Sequence, residues 1–166
     1  MKNTLIILCF LIFALCTAQN EKVNREAFTL KLAIDTEHDY SMKVESTPYF
    51  VKERIMQIYP SEKLFIETEI KGDTIYSMKV VTKNTHPDKT IEIEFSEDAK
   101  DRNNITSMLI VTNPFNKTLR YNALMYTPIS QKWKETSILA IRPKLQNFET
   151  WPHAIITLVL EQWRLE

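Results

Sequence analysis

Apolar and polar residues alternate with a period of two along most of the chain. Phe28, Leu30, Leu32 and Ile34 alternate with Thr29, Lys31 and Ala33. Successive side chains of a strand point to opposite faces, so this pattern predicts a strand with one buried face. Leu64 to Ile70 and Thr74 to Thr82 repeat the pattern, and Lys71-Gly72-Asp73 between them reads as a hairpin turn. In "TIEIEFSE", Ile91, Ile93 and Phe95 face one way while Glu92 and Glu94 face the other. Ile105 to Thr112, Leu119 to Tyr126, Ser137 to Ile141 and Ala154 to Leu165 complete the set of strand-like runs. The stretches "KNTHPDK", "SEDAKDRNN" and "RPKLQNFETWP" are rich in Asn, Asp, Lys and Pro, and read as connections.

One segment, 48–58, supports two readings. "TPYFVKERIMQIYP" has Thr47 as an N-cap, Pro48 at a first helical position, and Val51, Ile55 and Ile58 at helical spacing. It also reads as a strand entering the turn "YPSEK" and pairing with the run from Leu64. Its β-branched and aromatic content favours the strand. Short strands with frequent turn signals, and no sustained helical period, predict an antiparallel all-β domain. The uneven run lengths favour a two-sheet sandwich over a closed barrel. The last run, "AIITLVLEQW", is apolar enough for a central strand covered on both faces.

The start of the chain follows another rule. Lys2 and the apolar run Leu5 to Leu15 form the n- and h-regions of a signal peptide, too short to span a bilayer comfortably. Cys16, Thr17 and Ala18 place cleavage after Ala18. The expected organisation is therefore a signal peptide at 1–18 and one β-sandwich domain at 19–166. The new terminus at Gln19 resembles the export signals of Bacteroidota, which implies a periplasmic, outer-membrane-associated or secreted protein, with no membrane insertion of the mature chain.

Export changes the meaning of the cysteines. Both of them, Cys9 and Cys16, fall in the removed segment. The remaining 148 residues then carry no disulfide and no thiolate nucleophile, and are enough to bury a core without staples. The full chain balances 21 basic against 21 acidic side chains, so no basic field draws it to nucleic acid. Gly72, the one Gly of the sequence, rules out glycine-rich phosphate loops and a GxSxG nucleophile elbow.

Candidate chemistry is sparse. "DTEHDY" gathers Asp35, Glu37, His38 and Asp39, but its spacing matches neither a calcium loop nor a zinc motif, and it reads as a solvated turn. His86 and His153 are isolated, so no metal and no cofactor is expected. Glu92 and Glu94 share a strand face, as glycosidase carboxylates would, yet the outward side of a half-buried strand accounts for them. Trp163 reads as core. Trp133, between two lysines in "QKWKE", and Trp151, before a Pro, read as packed side chains too, with an exposed, sugar-stacking role as the rival.

The stretch "VTNPFNKTLRYNALMY" reads as a hairpin whose "NPFNK" turn is solvated and whose Leu109, Val111, Tyr121 and Ala123 share the core face. It resembles the "vxNpxxxxLxYxA" hairpin of exported bacterial immunoglobulin-like sandwiches. Tyr121, two residues before Ala123, resembles the tyrosine corner of such domains, with Ala where they often carry Cys. Asp73-Thr74-Ile75 resembles a Bacteroidota O-glycosylation acceptor. The resemblance implies an exported immunoglobulin-like β-sandwich acting as a non-catalytic binding or structural module, with a protein or glycan partner. A carbohydrate-binding module using Trp133, Trp151 and Tyr side chains is the alternative, and a small secreted hydrolase a third. No catalytic or ligand-binding residue is assigned at this level.

Overall fold

The computed structural model describes residues 23–166; the expected signal segment, its cut after Ala18 and both cysteines lie outside the described residues. Every regular element among the described residues is a strand. They are β1 (Phe28–Ala33), β2 (Asp39–Val44), β3 (Phe50–Lys52), β4 (Ile55–Ile58), β5 (Glu62–Lys71) and β6 (Thr74–Val81). The chain continues through β7 (Thr90–Asp98), β8 (Thr106–Thr112), β9 (Leu119–Tyr126), β10 (Trp133–Thr136), β11 (Gln146–Trp151) and β12 (Thr157–Leu165). One five-stranded sheet runs β10-β9-β12-β4-β3 and the second β11-β8-β7-β5-β6, while β1 and β2 form a separate ribbon. All strand pairs are antiparallel. The protein is all-β with two main sheets, consistent with a β-sandwich.

The alternation explains how the sheets meet. Met56, Ile58, Leu158 and Leu160 on the first sheet and Ile66, Ile91, Phe95 and Leu109 on the second are sealed from solvent in one shared core. Each such side chain contributes about 1.5–3 kcal/mol relative to exposure. No cysteine lies among the described residues, so this packing is what binds one sheet to the other. Gly72 sits in the β5–β6 turn at a left-handed φ of 60°. Open space surrounds its Cα, so the position needs glycine for its backbone and not for room.

Segment 48–58 is extended, as its composition favours, but as two short strands, β3 and β4, joined at Glu53-Arg54. The expected pairing with the run from Leu64 does not form. β4 pairs with β12, and the corner Tyr59–Ser61 carries the chain to the other sheet. Ser61 takes a left-handed φ of 76° there. Ser137 to Ile141 is not a strand; it supplies one bridge, Ile141 to Leu119, and the preceding Trp133–Thr136 pairs with β9 instead. β11 arises within "RPKLQNFETWP", which reads as a connection, and β2 starts inside "DTEHDY", which reads as a turn. β12 is central in its sheet, but it is not covered on both faces: Val159 and Glu161 are half-buried, and Gln162 is exposed at a bulge between Glu161 and Arg164.

The β1–β2 ribbon builds a second, smaller core. Leu30, Leu32 and Val44, with the half-buried Phe28, Tyr40 and Met42, pack on Tyr59, Ile156 and Tyr126. Ala33, expected to face outward, instead packs with Ile105 and Ala154, and donates its N–H to Glu97 Oε2 at 3.1 Å.

Candidate functional site

Val111 to Pro128 is not a hairpin. β8 lies in the second sheet and β9 in the first, so residues 113–118 form a crossover between sheets. The core face is as the alternation requires: Leu109, Val111, Tyr121 and Ala123 are all buried. The turn is not solvated throughout, because Asn113, Pro114 and Phe115 are buried and only Asn116 and Lys117 are exposed. Asn113, with no exposed surface, holds the corner together. Its Nδ2 donates to the carbonyls of Lys117 (2.8 Å), Ile141 (2.9 Å) and Arg142 (3.1 Å), and its Oδ1 accepts the Phe115 N–H (2.9 Å). The Tyr121 hydroxyl makes no corner hydrogen bond; it is buried without a partner, and burial pushes its pKa up. The ring stacks instead on Trp163, with centroids 4.5 Å apart.

"DTEHDY" is a turn organised by its own groups. Asp35 Oδ1 accepts the N–H groups of Glu37 and His38, both at 2.8 Å, and these bonds hold the carboxyl near a pKa of about 2. Arg102 clasps the turn, donating to the carbonyls of Asp35 and His38 and to Asp39 Oδ1. Among the described residues no three His, Asp or Glu side chains converge as a metal site would require. His86 lies 2.7 Å from Glu67, a nearly buried carboxylate that also takes Lys79 at 3.1 Å and Lys89 at 3.4 Å. Glu92 accepts from Asn84, and Glu94 pairs with Lys63, on the outward side of β5 and β7. Asp73 and Thr74 are exposed in the β5–β6 turn, while Ile75 is sealed in the core.

The three tryptophans separate. Trp163 is core, as expected. Trp151 is buried too, its Nε1–H donating to Thr136 Oγ1 at 2.8 Å. Trp133, expected to pack, is 48% exposed. It pairs with Tyr126 across β10 and β9, so both rings stand on the outward face of the first sheet, with centroids 5.3 Å apart. Lys132, Lys134 and Glu135 flank it, and Ile129 in the preceding loop is exposed. Sequence alone could not place Trp133, because its side depends on which of two neighbouring segments becomes the edge strand.

A feature with no sequence signal lies at the root of the ribbon. Arg25, in the unremarkable "NREAF", is only 2% exposed. Its guanidinium stacks between Tyr49 and Tyr59, 4.7 and 4.9 Å from their centroids. It donates to Glu62 Oε1 (2.9 Å), Thr47 Oγ1 (3.0 Å) and the Gln57 carbonyl (2.6 Å). Glu62 Oε2 accepts the Tyr59 N–H at 2.7 Å, so the half-buried carboxylate is satisfied as well. Beside this pair opens a cleft of about 590 Å³, with Phe28, Tyr49 and Pro60 on its apolar side and Glu26, Ser61 and Lys63 among its polar groups. Its innermost charges are already paired with each other, which makes Arg25 an anchor for the segment entering β1. Neither a known protein family, nor a curated protein, nor a solved structure matches this chain.

Proposed function

We propose that this protein is exported and works as a non-catalytic, immunoglobulin-like β-sandwich module that binds a partner through the outward face of β9 and β10. The exposed Trp133 beside Tyr126 carries the reading. A large aromatic side chain on paired strands offers rigid, amphipathic contact area at little entropic cost, and such residues dominate binding surfaces. The exposed Trp133 ring favours a second reading, carbohydrate binding, since an accessible aromatic face suits the apolar side of a sugar ring. Trp151 takes no part, being buried against Thr136.

The immunoglobulin-like reading draws support from two antiparallel sheets, a crossover at 113–118, and Tyr121 two residues before Ala123. The unpartnered Tyr121 hydroxyl is a departure from the tyrosine corner. Export draws support from the Lys2, Leu5–Leu15 and Ala18 pattern. A non-catalytic role draws support from the His–carboxylate pairs: neither His38–Asp35 nor His86–Glu67 lines the cleft beside Arg25.

The test is Trp133→Ala, assayed by partner capture and on a glycan array. The variant should keep its stability within about 0.5 kcal/mol, as exposed positions generally do, and lose the captured ligand. Retention of the ligand by Trp133→Ala would overturn the assignment of this face. The intact mass of exported protein should correspond to a chain beginning at Gln19; a mass that includes Met1 would overturn the export reading.

A further inference from the structure

We propose that a second copy of this chain docks on the free edge of β11, strand against antiparallel strand, about a two-fold axis at Phe148. β11 ends its sheet, with β8 on one side and, among the described residues, no strand on the other. An edge strand presents unpaired N–H and C=O groups to any strand that approaches, and proteins usually blunt it with shortness, lysine, proline or a bulge. The other edges of the two main sheets are blunted in this way. β3 has three residues, one of them Lys52, and β10 has four, one of them Lys134. β6 carries Lys79, and Arg54 donates to its Ile75 carbonyl at 2.7 Å. β11 runs for six residues in unbroken register with β8, and contains neither lysine nor proline. In the middle of it Phe148 is 57% exposed.

The ladder fixes which backbone groups are free. The Asn113 N–H donates to the Leu145 carbonyl at 2.8 Å, so Leu145 and Asn113 form a hydrogen-bonded pair where the β11–β8 register begins. Antiparallel pairs alternate between bonded and unbonded. Asn147, Glu149 and Trp151 therefore turn their backbone groups to β8, while Gln146, Phe148 and Thr150 turn theirs to the open edge. These three residues are exposed, and their N–H groups have no backbone acceptor outside the ladder. An axis at Phe148 sets Phe148 against Phe148 of the second copy, and Gln146 against Thr150 in both directions. Every edge-facing N–H and C=O of the stretch then finds a partner. The side chains agree with that register. The two Phe148 rings form an aromatic cross-strand pair on the outward face. On the inward face Glu149, the one charged residue of β11, meets Asn147 of the second copy, so no like charges oppose each other. An axis at Glu149 would set carboxylate against carboxylate, and one at Asn147 would run Thr150 past the start of the facing strand. A foreign strand would gain the same backbone bonds; the self-matching side chains favour the second copy.

The experiment is sedimentation equilibrium of the whole protein across a range of concentrations, with amide hydrogen exchange followed by NMR at both ends of the range. Six edge residues a side make a small interface, so the dimer should be reversible, with a Kd on the order of 10 μM. The Gln146, Phe148 and Thr150 amides should exchange more slowly at high concentration than at low. Phe148→Lys and Phe148→Glu should both fold, since the position is exposed, and urea melts check this. Each alone should be monomeric, because like charges meet at the axis. Mixed in equal amounts the two should dimerise, opposite charges now meeting there. A parent protein that stays monomeric well above that concentration, a dimer that survives Phe148→Lys, or a mixture that fails to associate would each overturn the proposal. Protected β11 amides in a monomer, or a different chain found bound there by intact mass, would assign the edge to another strand and overturn it too. None of these readouts involves Trp133, so failure here leaves the proposed β9–β10 face untouched, and the reverse holds too.

Discussion

Asn113→Ala tests whether the crossover, and not a hairpin, organises the middle of the chain. Truncation removes the acceptor of the Phe115 N–H, which is buried and has no other route to water. An orphaned buried donor costs about 1–3 kcal/mol. The three carbonyls served by Nδ2 fare differently. Ile141 and Arg142 keep the N–H groups of Leu119 and Leu145 as partners, and Lys117 is exposed to solvent. Their loss therefore adds only the modest net worth of neutral hydrogen bonds, together with a small void. The sum is about 3 kcal/mol, which in a domain of this size lowers Tm by about 6–12 °C. Urea melts at equilibrium should show the loss as a shifted midpoint at unchanged slope. Asn113→Asp should be no better: it keeps the acceptor for Phe115 but sets a carboxylate against three carbonyls. Asn116→Ser, three residues on and exposed, should stay within about 0.5 kcal/mol of the parent. A stable Asn113→Ala, or an Asn113→Asp equal to the parent, would refute the corner as drawn.

The remaining predictions use other buried polar groups. Tyr121→Phe deletes a buried hydroxyl without a partner and should leave urea stability unchanged or raise it, whereas Tyr121→Ala, losing the ring stacked on Trp163, should cost on the order of 3–4 kcal/mol. Arg25→Met leaves the half-buried Glu62 without its cation and should cost about 1.5–3 kcal/mol in the same assay; a loss under about 1 kcal/mol would show that Arg25 is not the anchor of the ribbon. Lys79, then His86 and Lys89, depress the Glu67 carboxyl from 4.5 to about 2 in the folded protein. The folded pKa lies below the unfolded one, so this contribution is present above about pH 4.5 and is lost as pH falls toward 2. Glu67→Gln should therefore be less stable than the parent at pH 7, with the gap closing across that window; an equal gap at pH 3 and pH 7 would contradict the network.

Much of the fold was legible because a strand with one buried face must alternate. Ile91, Ile93 and Phe95 inside, with Glu92 and Glu94 outside, follow from the pleat alone. So does the Gly72 turn, where the glycine of the sequence takes a left-handed position between β5 and β6. What the sequence could not decide was which strand lies beside which. Leu109, Val111, Tyr121 and Ala123 would share the core face in a hairpin or in a crossover, since both put alternate residues inward; tertiary structure chose the crossover. β11 escaped notice because its half-buried Asn147 and Glu149 satisfy each other and Leu139 at a sheet edge, where polar side chains can remain. Trp133 turned outward because Trp133–Thr136, not Ser137–Ile141, became the edge strand of the first sheet. Arg25 carried no local signal at all: its two tyrosines and its carboxylate lie 24, 34 and 37 residues along the chain, and only the folded ribbon brings them together. Period-two patterning fixes which side of a strand is buried. The partner across the core, and hence the site, is set by long-range packing that no local window contains.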